Sequence, residues 1–200
     1  MLIVRDKIYN IGRFTFVNFT LLSEAQIKQV WNWRNNPDVS KYMYNTEFIP
    51  YDSHVQFILS LRNRKDCYYW LVKKDDISIG VFNVTSIDLE KNMAEIGFYQ
   101  NPDVCGIGFY LLQQCYNFYF NQLLFERMYA SVDVGNYESL ILSKYFGCVF
   151  EISKELIING VNRKFLVSEN LTRYIYNSKE YSLKNFVNYV RYGTESIRNY

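Results

Sequence analysis

The chain has one histidine, His54, and four widely spaced cysteines (Cys67, Cys105, Cys115 and Cys148) with no CxxC pair among them. Neither a His/Cys metal site nor a disulfide framework is expected from that pattern, and a reduced, metal-free protein is the plain reading. No stretch approaches the about 20 consecutive apolar residues that a membrane-spanning helix needs. The opening "MLIVRDKIYN" lacks a basic segment followed by a long apolar run, so no secretory signal is expected and a cytoplasmic location follows. An excess of one charge is also missing. Twenty-two basic residues against 20 acidic ones leave a net charge of +2, too balanced to imply a nucleic-acid or membrane-surface partner. Repeats, low-complexity linkers and a domain boundary are absent, which predicts one domain over 1–200, its core at about 13–170 and a C-terminal extension over 171–200.

What is present fits a globular chain. Hydrophobic residues make up 49% and charged ones 21% of 200 residues, enough for a real core and too apolar for disorder. Tyrosine is abundant, at 19 residues. A bias towards Tyr, Phe, Asn, Ile and Lys accounts for that more simply than a binding surface.

"RFTFVNF" (13–19) alternates as a strand does. Ser23-Glu24-Ala25-Gln26 is a capping-box signature, and the helix behind it places Ile27, Val30, Trp31 and Arg34 on one side and stops at "NNPD". A second helix is predicted from Asp52 or Ser53. "YYWLVKK", "ISIGVFNVTSI" and "MAEIGFYQ" read as an antiparallel meander over 68–100, turning first at Asp75-Asp76. A helix follows to about residue 121, then the strand "ERMYASVDV" and a helix capped by Asn136. "CVFEISKELII" and "RKFLVSENL" form a hairpin around Asn159-Gly160, a type I′ turn signal. One short helix, "LKNFVNYVR", is expected in the tail. This element order is mixed α/β with a mostly antiparallel sheet, not an alternating doubly wound one.

Between the meander and its helix lies "NPDVCGIGFYLLQQ". The P-loop pattern fails because no Lys-Ser or Lys-Thr follows Gly108, and a dinucleotide fingerprint fails because Leu111 stands where its third glycine belongs. Two readings remain. The glycines let a pyrophosphate approach a helix N-terminus, where free amides and the helix dipole favour an anion. Alternatively they form a helix-entry turn with no ligand. The glycines alone leave the two evenly balanced.

Element order and motifs together resemble the GNAT acetyltransferase superfamily over roughly 13–170. Its pattern Q/R-x-x-G-x-G/A falls on Asp103 and Cys105-Gly106-Ile107-Gly108. "NYESLILSKYFGC" resembles its second motif, N-x-x-A-x-x-x-Y-x-x-x-G-F, with Asn136, Ser139 and Gly147 in register. "WNWRNNPDVSKYMY" and "FIPYDSHVQFI" narrow the resemblance to the nucleotide-linked amino-sugar acetyltransferases of pseudaminic acid synthesis and their relatives. The resemblance implies the GNAT acyltransferase fold and acetyl-CoA as co-substrate. It also implies direct amine attack on the thioester of a UDP- or dTDP-linked amino-deoxysugar, for surface glycan or flagellin glycosylation. It places the coenzyme on Tyr99, Val104, Cys105, Gly106, Ile107, Gly108, Phe109, Asn136 and Ser143, with an oxyanion donor near Tyr99. Substrate contacts fall on Arg34, Met43, Tyr44, His54, Thr85 and Tyr99, with Arg34 able to fork onto a diphosphate. Glu95 stands where the family keeps a carboxylate base acting through water, and His54 and Ser143 complete the catalytic candidates.

Two departures stand out. Asp103 replaces the usual Gln or Arg of the cradle. Ser143 occupies the position of the Tyr that protonates the leaving thiolate, and a serine hydroxyl is far less acidic. Tyr145, two residues on, points about 200° round the helix and is a poor substitute. Ser143 is therefore expected to hold the coenzyme sulfur or a water. Three functions stay open: a nucleotide-sugar acetyltransferase, an acetyltransferase of protein N-termini or small amines, and a GNAT-like protein that binds coenzyme A without catalysis. The sequence also leaves open a homodimer packed on the aromatic tail from Tyr174 onward.

Overall fold

The computed structural model describes residues 3–192. The predicted tail therefore extends past the described residues at 193–200. Eight strands form one sheet: β1 (Tyr9–Ile11), β2 (Phe14–Asn18), β3 (Tyr68–Lys74), β4 (Ile77–Asp88), β5 (Met93–Gln100), β6 (Arg127–Asp133), β7 (Ile152–Ile158) and β8 (Val161–Ser168). They lie in the order β1-β2-β3-β4-β5-β6-β8-β7. Every neighbouring pair is antiparallel except β5 and β6, which run parallel. This is the mixed, mostly antiparallel α/β architecture expected from the element order.

The helices are α1 (Glu24–Asn35), α2 (Pro37–Ser40), α3 (Tyr51–Ser60), α4 (Gly108–Asn117), α5 (Tyr137–Tyr145), α6 (Arg173–Asn177) and α7 (Leu183–Tyr192). The capping box holds: the Ser23 hydroxyl accepts the Gln26 amide while Gln26 accepts the Ser23 amide. "NNPD" does more than stop α1. Asn36 ends that helix and then caps α2, its side chain accepting the Asp38 amide, with Pro37 at the first helical position, where its missing N–H costs nothing. Three short elements, β1, α2 and α6, go unpredicted because three to five residues carry too little periodicity to read. The hairpin turn is as predicted, with positive φ at both Asn159 (51°) and Gly160 (76°).

Alternation along the strands divides the core between the two faces of the sheet. Tyr68, Trp70 and Val72 of β3 and Ala94 and Ile96 of β5 face α4, whereas Leu71 and Val81 face α1 and α3 with Val30, Trp33 and Ile58. Glu95, Gly97 and Tyr99 alternate with the first set. They therefore turn towards the α1/α3 side.

The helix begun by α4 widens into a π-helical turn over Phe118–Gln122. Phe118, Tyr119 and Phe120 are consecutive and all fully buried in one core cluster, each against different partners. Phe118 stacks on Phe16 at 4.1 Å and meets Tyr9, Trp70 and Phe82 edge-on, at the centre of the sheet. Phe120 stacks on Tyr176 of α6. Tyr119 turns to the root of β5 and β6, where its hydroxyl accepts the Ala94 amide (2.8 Å) and donates to the Arg127 carbonyl (2.6 Å).

A large-to-small change at the centre of such a cluster loses both transfer energy and packing. Phe118→Ala is expected to lower unfolding free energy by about 3–5 kcal/mol, read as a shifted midpoint with unchanged slope in urea denaturation.

Candidate active site

The parallel pairing of β5 with β6 lasts three residue pairs, Met93–Arg127, Ala94–Met128 and Glu95–Tyr129. Beyond them β6 pairs with β8 through Ala130–Asp133, and β5 continues to Gln100 alongside β4. The two strands therefore part, and a cleft of about 510 Å3 opens where they do. A register shift in β4 between Thr85 and Asp88, with Ser86 at a positive φ of 49°, bends the neighbouring strand beside it.

Nine of the predicted site residues line this one cleft: Arg34, Met43, Tyr44, His54, Thr85, Glu95, Tyr99, Asn136 and Ser143. They come from α1, the loop behind α2, α3, β4, β5 and α5, so only the tertiary structure could bring them together. Val104, Cys105, Gly106, Ile107, Gly108 and Phe109 lie outside it, on the loop that follows β5 and at the start of α4. There Gly106 has a positive φ of 71° with open space around the position a Cβ would take. The N-terminus of α4 carries no side-chain cap, unlike those of α1, α2, α5 and α6. Its first amides are thus available to a ligand. Ile107 and Phe109 are buried, with Phe109 packed on Tyr145, Phe146 and Phe186, so any ligand contact of theirs is through the backbone.

Glu95 sits opposite Thr85 across β4 and β5. Its carboxylate accepts the Tyr44 hydroxyl at 2.9 Å. The Lys154 ammonium on β7 donates to Tyr44 (2.9 Å) and reaches Tyr129 (3.3 Å). Burial alone would lower Lys154, but its hydrogen bonds to the two tyrosines outweigh that and hold the ammonium above the usual lysine range. Burial pushes the Tyr44 phenol up, with the Lys154 hydrogen bond pulling against it. The loop that carries Tyr44 is also tied down by Arg163, which donates to the Met43 carbonyl (2.9 Å) and pairs with Asp133 (2.5 Å).

At the other wall are Arg34 and His54. Arg34 Nη2 donates to the Asn45 carbonyl at 2.7 Å, while its buried Nη1 has no partner. Among the described residues no carboxylate pairs with this guanidinium. His54 is 5% exposed and its Nε2 is likewise unpartnered. Burial and then the Arg34 charge push His54 down to about 4, so it is a neutral imidazole at pH 7 with a ring nitrogen free for a ligand.

Ser143, 1% exposed, forms the floor near α5. Asn136 caps α5 through the Ser139 amide at 3.2 Å, which occupies its side-chain oxygen. Tyr145 turns away to the C-terminal segment, its hydroxyl donating to the Ser182 carbonyl at 3.1 Å, as the helix angle predicted. The sequence reading missed Tyr116 and Lys154. Tyr116 belongs to an aromatic-rich helix whose pattern says only "core", and Lys154 to a hairpin strand that no motif marks.

The sheet parted between two parallel strands, the uncapped helix N-terminus beyond it and the carboxylate facing the opening put a place for an anion beside a group able to accept a proton. The model of the acetyltransferase (GNAT) domain matches residues 16–149, and the chain belongs to that family. It is 33% identical over 125 residues to acetyltransferase PseH of Campylobacter jejuni serotype O:2, covering 62% of this chain and 78% of that protein. PseH of C. jejuni serotype O:23/36 is 30% identical over the same length. The fold also matches the crystal structure of C. jejuni PseH in complex with acetyl coenzyme A, with a TM-score of 0.62 at 21% identity, over 79% of this chain and 99% of that one. It matches spermidine N-acetyltransferase from Vibrio cholerae in complex with CoA and spermine, with a TM-score of 0.72 at 18% identity, over 84% and 99%. The protein is an acetyl-CoA-dependent N-acetyltransferase. Among the described residues no helix is long and apolar enough to cross a membrane, and no group of three or more His, Cys, Asp or Glu could hold a metal ion.

The depressed His54 makes stability depend on pH with a definite sign. Below its unfolded value of 6.5 the unfolded chain binds a proton there, and the folded chain does not until about 4. Stability therefore falls as pH falls through that window, by up to about 3 kcal/mol from this residue, and is unaffected above it. In urea titrations, His54→Gln should flatten the stability profile between pH 6.5 and 4 relative to the wild type.

Proposed function

We propose that the acceptor is the amino group of a UDP- or dTDP-linked amino-deoxysugar, acetylated in the cytoplasm for surface glycan or flagellin glycosylation. The observation that carries this is the uncompensated cation of the cleft. A half-buried guanidinium whose Nη1 is buried and free, next to a neutral histidine whose Nε2 has no partner, leaves a donor that an anionic group such as a diphosphate satisfies. A polyamine acceptor would need the opposite. The two carboxylates that face this cleft, Glu95 and Asp133, are already engaged by Tyr44 and Arg163. The similarity to PseH at 33% identity supports the same direction.

The amine approaches the thioester from the Arg34/His54 wall, with Glu95 accepting its proton through water. An amine with a pKa near 8 is already partly neutral at pH 7, so a strong base is unnecessary. The oxyanion of the tetrahedral intermediate falls to a backbone N–H of β5 near Tyr99, on the stretch that β6 leaves unpaired. Cys105-Gly106-Ile107-Gly108 and the α4 amides take the coenzyme pyrophosphate. The Asp103 carboxylate, where the pattern usually has Gln or Arg, leaves that cradle one side-chain contact short.

Thiol release from acetyl-CoA, followed with UDP- and dTDP-linked amino-deoxysugars and with spermidine as acceptors, tests this. The nucleotide sugars should be turned over. Arg34→Lys should cut kcat/KM for them at least about tenfold, mainly through KM, because a point charge cannot fork onto a diphosphate. Acetylation of spermidine with none of the nucleotide sugars accepted would refute the assignment.

A further inference from the structure

Behind Tyr44 stands a cation that does not itself line the cleft. Lys154 of β7 pairs in register with Phe165 of β8, and Phe165 with Asp133 of β6, so the three side chains share one face of the sheet. The Lys154 ammonium donates to the Tyr44 hydroxyl at 2.9 Å and to the Tyr129 hydroxyl at 3.3 Å, and lies 5.0 and 5.3 Å from the centres of the two rings. Tyr44 in turn donates to Glu95 Oε1 at 2.9 Å. Chemistry fixes the direction of this chain. An ammonium only donates, an ionised carboxylate only accepts, and the phenol has one proton to pass on. The β7–β8 hairpin also holds the Tyr44 loop on either side, through Arg163 to the Met43 carbonyl and through Asn159, which donates to Thr46 at 2.9 Å.

We propose that Lys154, acting through Tyr44, compensates the charge of Glu95, so that the acceptor amine reaches the thioester neutral instead of being held as an ammonium. This role rests on Glu95 as the acceptor of the amine's proton in the proposed function. A lone carboxylate beside the amine raises the amine's pKa by about one or more, and an ammonium has no lone pair with which to attack. With Lys154 one phenol oxygen away, the carboxylate's field at the amine is largely cancelled. A proton acceptor nevertheless remains. Tyr44 occupies Oε1, and among the described residues no protein donor hydrogen-bonds Oε2. The amine's proton passes to a water, and that water's proton to Oε2.

The other groups on this side of the cleft add no net charge. Asp133 of β6 is matched by Arg163 of β8 at 2.5 Å. Tyr129 stands opposite Glu95 across β5 and β6, and burial keeps the Tyr44 phenol protonated. Arg34 and His54 belong to the opposite wall. Burial pulls Lys154 down, while the two phenols and the Glu95 charge hold its ammonium above the usual lysine range. Lys154 is thus a positioning residue.

Spermidine serves as the probe, because a compensated carboxylate attracts a polycation weakly and a bare one strongly. Its binding to the coenzyme A complex, measured by calorimetry at low ionic strength, should tighten at least about tenfold in Lys154→Met. Lys154→Arg should bind it as the wild type does, and Glu95→Gln/Lys154→Met should lose the gain. Equal binding by wild type and Lys154→Met overturns the proposal. The second readout is the pH profile of kcat with whichever amine is accepted. Its ascending limb should move up by about one in Lys154→Met and in Tyr44→Phe and stay in place in Lys154→Arg, with KM for acetyl-CoA unchanged. A kcat lowered equally at every pH marks a structural role and likewise overturns it. Full kcat in Glu95→Gln would overturn the proton-acceptor reading of Glu95 alone. Rejection of every nucleotide sugar would overturn only the substrate assignment, because spermidine binding depends on neither.

Discussion

The parting of β5 from β6 is the constraint on which the rest of the molecule depends. A continuous ladder would bury the inner edge of β5 and leave no room between α1, α3 and α5 for two substrates. The strands separate because β6 has two partners in succession, β5 for three residues and then β8 for four. Tyr119 fixes the point of separation by hydrogen-bonding both strands at their root. The widened helical turn makes this reach possible while its neighbour Phe118 fills the centre of the core. Packing and the active-site opening thus share three consecutive residues.

Within the cleft the two walls differ in how well their charges are satisfied. Glu95, Tyr44 and Lys154 form a closed set of hydrogen bonds in which the carboxylate and the ammonium each have partners. Arg34 and His54 do not, and a buried donor left unused on a half-buried cation is costly unless something supplies the missing acceptor. The proposed function rests on this asymmetry: one wall has its charges met within the protein, and the other keeps a donor to spare.

Legibility in the sequence followed the range of each interaction. Helix caps and hairpin turns were read correctly because they are local: Ser23 with Gln26, Asn136 with Ser139, and Asn159-Gly160 each act within a few residues. The site residues came through motifs, which name Arg34, His54, Glu95 and Ser143 but not how they are satisfied. Tyr116 and Lys154 were missed because their roles depend on partners far along the chain. Lys154 meets Tyr44 across 110 positions, and Tyr116 meets Cys148 across 32. In both cases the sequence offers only an ordinary core or strand residue.

Alternation and capping within each segment determined the elements and their order, and the motif spacing placed the chain among acyltransferases, since periodicity and turn chemistry act over a few residues. Which strands separate, and which of Glu95 and Arg34 is left wanting a partner, were decided only when the sheet closed. Those outcomes are contacts between side chains distant in sequence, and hydrogen-bond satisfaction and burial are properties of the assembled cleft.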